Sequence, residues 1–156
     1  MLKEGDKAPD ISLRTDAGDP FRLSDLKGRR VVLYFYPKAD TPGCTTEACE
    51  FRDGISEFAA KGAAVVGVSP DKPAAQAKFK QKYGLPFTLL ADEERAAAEA
   101  YGVWKEKNMY GKKVMGIERT TFLIGADGRI EKIYSKVKAK GHAAEVLAGL
   151  GGGSNL

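Results

Sequence analysis

Cysteine, histidine and tryptophan are scarce in this chain of 156 residues, with two, one and one respectively. Two cysteines and a single distant histidine, His142, fall short of the four ligands of a structural zinc site, so no bound metal is expected. Long apolar runs are lacking as well, and none approaches the ~20 residues that a helix needs to cross a bilayer. The opening segment MLKEGDKAPD is charged and carries a proline, with no apolar core behind a basic start. These absences lead us to expect a cytoplasmic protein with no membrane partner. In that reducing compartment a cysteine pair is more often transient and catalytic than a permanent staple. Internal repeats and low-complexity linkers are absent too. The net charge of +4 is spread over many segments without a helix-turn-helix, zinc-finger or RNA-binding signature, so no nucleic-acid partner is expected.

What is present is an ordinary globular composition, 43% hydrophobic and 29% charged, long enough to bury one core. VVLYFY (31–36) is a continuous apolar run of strand length, as for a strand buried on both faces. A helical pattern follows to about Lys61, closed by Gly62. AVVGVS (64–69) makes a second buried strand, and strand–helix–strand implies a right-handed parallel unit. Pro73 opens a helix that Gly84 ends, FTLLAD (87–92) is a short strand, and EERAAAEAYG (93–102) a helix stopped by glycine. A glycine- and lysine-rich connection (105–116) leads to RTTFLIGADGRIEKIYS, a hairpin turning at Asp127-Gly128, and a last helix covers 140 to 150. DISLRTDAGDPFRL near the start reads as a further hairpin. This order is that of an α/β, thioredoxin-like fold: a central mixed sheet flanked by helices, with an N-terminal β-hairpin added. Residues 1–150 are expected to form one domain and 151–156 a flexible tail.

Both cysteines fall in FYPKADTPGCTTEACE (35–50), with four residues between them. Thr41-Pro42 marks a helix start, threonine as N-cap and proline at the first helical position. Cys44 then lies in the first turn, where free N–H groups and the helix dipole favour thiolate over thiol. Ala48, Phe51, Ile55, Phe58 and Ala59 continue its stripe at helical spacing, so Cys44 points inward. Cys49 lies ~140° around the helix, on its outer side, with the two Cα atoms ~8.6 Å apart. A disulfide needs roughly 4.4–6.8 Å. The pair cannot bond while the helix is intact. His142, at the start of the last helix, reads as a surface residue, and Trp104, Tyr83, Tyr101 and Tyr110 as packing.

The segment Pro37-Lys38-Ala39-Asp40-Thr41-Pro42-Gly43-Cys44 resembles the peroxiredoxin active-site pattern Pro-x-x-x-Thr-x-x-Cys. With TTEACEFRD and Cys49, it is similar to the bacterioferritin comigratory protein, or peroxiredoxin Q, subfamily. GDKAPDISL, GVSPD (67–71) and GIERTTFLIGADG (116–128) fall where that family carries similar segments, so the resemblance spans almost the whole chain. It implies an antioxidant thiol peroxidase acting on hydrogen peroxide and organic hydroperoxides. Cys44 would be the peroxidatic nucleophile, passing through a sulfenic acid, and Cys49 the resolving thiol, giving a Cys44–Cys49 disulfide that thioredoxin or a similar dithiol reduces. By the same resemblance Thr41 hydrogen-bonds the peroxide, Pro37 shields the thiolate, Arg119 stabilises thiolate and peroxide, and Glu47 orients Arg119. No cofactor is implied, and the subfamily pattern is monomeric. Two other functions share some of these features. A thiol–disulfide oxidoreductase would place Cys-x-x-Cys with an exposed first thiol, and a redox-sensing module would oxidise without turning over.

Overall fold

The structure, a computed structural model, describes residues 1–151. Nine strands and five helices follow one another as β1 (Ser12–Thr15), β2 (Pro20–Arg22), β3 (Arg30–Phe35), α1 (Pro42–Asp53), α2 (Ile55–Ala60), β4 (Ala63–Ser69), α3 (Pro73–Tyr83), β5 (Thr88–Ala91), α4 (Ala96–Ala100), β6 (Trp104–Met109), β7 (Lys112–Ile117), β8 (Thr120–Ile124), β9 (Ile130–Tyr134) and α5 (His142–Gly149). A short 3-10 turn, Leu23–Leu26, precedes β3. The tail expected over 151–156 lies, beyond Gly151, outside the described residues.

The main sheet has the order β2-β1-β5-β4-β3-β8-β9. Strands β3, β4 and β5 are parallel neighbours, while β8, β9, β1 and β2 join antiparallel. This is the mixed, thioredoxin-like sheet with its N-terminal hairpin. The continuous apolar run of β3 has a direct cause: Val32, Tyr34 and Tyr36 belong to one core layer and Val31, Leu33 and Phe35 to the other. Phe51, Phe58, Phe79 and Val146 from the helices fill the first layer, and Ala97, Tyr101 and Ile117 help fill the second.

Four local expectations change. The helix expected to reach Lys61 breaks at Gly54, whose backbone (φ −98°, ψ 7°) ends α1 and starts α2. The helix expected over 93–102 shrinks to α4, because Arg95 adopts a left-handed conformation (φ 62°) and the Asp92 carboxylate accepts from the amides of Ala97 and Ala98. The stretch 105–116, read as a connection, belongs to the separate hairpin β6–β7, with Trp104 opposite Ile117 at its base. Lysines and exposure on both faces leave it no alternating apolar pattern, so periodicity does not reveal it. His142 is the fourth case. It is buried (1% exposed), its Nε2 lies 2.7 Å from the Thr121 hydroxyl, and its ring packs edge-on against Phe51 and Tyr134.

Candidate active site

The C-terminal end of β3 delivers the chain into the segment 37–41, which a polar network holds in place. The Ala39 amide donates to Asp71 Oδ2 at 2.7 Å, and Asp71 also accepts from the Ser69 hydroxyl at 2.6 Å. Buried Gln76 ties Ser69 and the Leu90 carbonyl to the Tyr36 hydroxyl. Asp40 sits in the left-handed region (φ 61°), its carboxylate accepting from Tyr83 Oη at 2.8 Å and Lys82 Nζ at 2.9 Å. Pro37 is half-buried at the start of this segment. Sequence reading missed Gln76, Asp71 and Asp40. Each is an ordinary polar residue whose role depends on elements far away in the chain.

Helix α1 starts where expected, with Thr41 extended at the N-cap position and Pro42 first. The Thr41 side chain does not cap. Its hydroxyl donates to the Lys38 carbonyl at 2.8 Å instead. The first intrahelical bond is Thr45 N to Thr41 O, so the amides of Gly43 and Cys44 lie ahead of any helical acceptor. Cys44 is buried (1% exposed) and Cys49 half-buried, and both thiols are free. The inward and outward directions read from the helical stripe are those observed.

Arg119, just before β8, joins the site from a distance of 75 residues along the chain. Its Nη2 lies 3.4 Å from Cys44 Sγ, and its Nη1 donates to Glu47 Oε1 at 2.6 Å. A Cβ placed on Gly43 would come within 3.1 Å of Nη2, so glycine there gives the guanidinium room to lie on the first turn. Glu47 is fully buried, and its second oxygen has no hydrogen-bond partner among the described residues. Burial pushes its carboxyl up to about 7 against the opposing pull of Arg119. The fold thus gathers Pro37, Thr41, Cys44, Glu47 and Arg119 at one end of β3, with Cys49 on the far face of the same helix. Among the described residues, no group of three or more histidine, cysteine or acidic side chains is placed to hold a metal ion. No described helix is long and apolar enough to cross a membrane.

The buried Cys44 thiol thus lies at a helix N-terminus beside an arginine that a buried acidic side chain holds. The AhpC/TSA family model matches residues 4–133. The chain belongs to the AhpC/TSA family, in its Bcp/PrxQ peroxiredoxin branch. It is 56% identical over 146 residues to peroxiredoxin Bcp of Bacillus subtilis, covering 94% of this chain and 93% of that one. Among solved structures it resembles a cysteine mutant of Xylella fastidiosa PrxQ, with a TM-score of 0.91, 40% identity and 96% of each chain covered. It also resembles the Xanthomonas campestris bacterioferritin comigratory protein, with a TM-score of 0.86, 44% identity and coverage of 90% of this chain and 89% of that one. The Xanthomonas structures are trapped-intermediate and ligand complexes bearing on alkyl peroxide reduction.

Proposed function

We propose that this peroxiredoxin reduces hydrogen peroxide and organic hydroperoxides through Cys44, with residues 1–150 acting as one domain. The observation that carries the reading is the Cys44 sulfur, buried at the start of α1 and 3.4 Å from the Arg119 guanidinium. The Cys44 thiolate attacks the terminal peroxide oxygen. The O–O bond breaks, and the leaving oxygen departs with a proton as water or alcohol, leaving Cys44 as sulfenic acid. Negative charge moves from sulfur to the leaving oxygen during this step, and fixed donors stabilise it as it moves. Arg119 and the free amides of Gly43 and Cys44 are those donors, and Thr41 holds the peroxide through its hydroxyl. Glu47 fixes the guanidinium in place, and Pro37 screens the sulfur from water.

Resolution follows when the Cys49 thiol attacks the Cys44 sulfur, expelling water and forming the Cys44–Cys49 disulfide. A dithiol reductant of the thioredoxin type supplies two electrons and restores both thiols. In this reading the protein works as a cytoplasmic monomer with no cofactor and no nucleic-acid or membrane partner. The test is peroxide-dependent NADPH oxidation with thioredoxin and thioredoxin reductase, run beside insulin reduction. Turnover of peroxide without insulin reduction supports the assignment. Insulin reduction without peroxide turnover would make the chain a disulfide oxidoreductase instead.

A further inference from the structure

A cavity lies at the opposite end of β3 from the cysteine segment. Its volume is about 320 Å³, within the range of small-molecule sites. The floor is apolar, with Leu23, Val31 and Ile124 buried beneath it. Four charged residues line it: Lys7, Lys27, Arg29 and Asp10. The Asp10 carboxylate is already engaged, its Oδ1 accepting from the amides of Ile11 and Ser24, both at 2.9 Å. Lys7, Lys27 and Arg29 are exposed, and none of the three forms a side-chain hydrogen bond or ion pair among the described residues. The mouth therefore carries three cations, unpaired among the described residues, against the single Asp10 carboxylate, a net positive charge over an apolar floor.

Backbone bonds hold the walls together. Ala8 donates to Gly128, Gly28 to Ala126 and Leu23 to Ile11, joining the N-terminal segment, the 3-10 turn and the β8–β9 loop. The cavity is thus built before any ligand arrives, which keeps the ordering cost of binding low.

We infer that this cavity binds a medium-chain carboxylate, the apolar tail against Leu23, Val31 and Ile124 and the anionic head between Lys27, Arg29 and Lys7. Charge complementarity selects the head and the floor selects the tail, so neither a short acid nor a neutral alcohol satisfies both. Val31 lies near the start of β3, and Tyr36, just past its far end, leads to the cysteine segment. Five residues of extended chain, about 16 Å, separate Val31 from Tyr36. The bound carboxylate does not touch Cys44, and the inference stands apart from the peroxidase reading.

Calorimetric and NMR titration of the full chain with octanoate, octanol and acetate tests the site. Octanoate is expected to bind saturably in the low-millimolar range or below, more tightly than octanol or acetate. Its amide shifts should cluster in residues 7–10, 23–31 and 124–128. The exposed double variant Lys27→Glu/Arg29→Glu should weaken binding by about tenfold or more, and Cys44→Ser should leave it unchanged. Absence of saturable binding, equal affinity for octanol, an unaffected double variant, or shifts centred on α1 would each overturn the assignment.

Discussion

The Arg119 guanidinium lies 3.4 Å from the Cys44 sulfur while its other terminal nitrogen is held by Glu47 at 2.6 Å. One cation is thereby fixed against that sulfur by a buried acidic side chain. Arg119→Met keeps an unbranched apolar stem, shorter than arginine, and removes the donors at its end. Loss of one such donor costs roughly a hundredfold in the chemical step. Rapid-quench measurement of Cys44 oxidation by hydrogen peroxide should show a loss of that order, and an unchanged rate would remove Arg119 from the reaction.

Gly43 gives a prediction in which stability and activity part company. Alanine there is a better helix former by ~1 kcal/mol, so thermal unfolding should stay unchanged or shift upward. The new methyl would crowd Arg119 Nη2 at 3.1 Å, and peroxide reduction should fall several-fold. A drop in stability with unchanged activity would contradict the close approach.

Two buried groups give stability a pH dependence of opposite sign. Burial raises the Glu47 carboxyl from 4.5 to about 7, so the folded state holds a proton that the unfolded state releases between those values. Stability then falls as pH rises through that window. Burial lowers His142 below its ordinary 6.5, although Glu145 pulls the other way. Its contribution is present above pH 6.5 and is lost as pH falls below it. Denaturant titrations across pH 4.5 to 8 should show the Glu47 component vanish in Glu47→Gln and the acid-side loss vanish in His142→Gln. Profiles parallel to the parent chain would refute both.

The cysteine segment was legible because its signals are local. Thr41-Pro42 marks the helix start, and the stripe from Cys44 to Phe58 gives its inward face. The β3 run was legible because both of its faces are buried. Arg119 has no local signal and was reached only through the family resemblance. The burial of His142 comes from Thr121, Phe51 and Tyr134, which periodicity cannot assemble. The β6–β7 hairpin escaped for the opposite reason, since it is mostly exposed and shows no core-facing alternation.

Helix α1 keeps Cys44 and Cys49 on different faces, so forming their disulfide requires its turns to open. Gly54 already ends the helix, and two bonds tether its last turns. The Glu50 carboxylate accepts from the Gly141 amide at 2.9 Å, and Arg52 donates to the Tyr83 carbonyl at 2.7 Å. Local opening of such a segment costs less than global unfolding. Amide exchange should be slow over residues 44–53 in the reduced protein and fast there after oxidation, with β3 and β4 unchanged. Equal protection in both forms would show that the disulfide forms some other way.

Intact-mass analysis after one equivalent of hydrogen peroxide, with dimedone present, tests the assignment of the two thiols most directly. The unmodified chain should lose two hydrogens and yield a peptide linking Cys44 to Cys49. Cys49→Ser should gain one dimedone adduct on Cys44, and Cys44→Ser should remain unmodified. Oxidation of Cys49 in the Cys44→Ser protein at the parent rate, or an oxidised parent chain without the Cys44–Cys49 link, would contradict the mechanism.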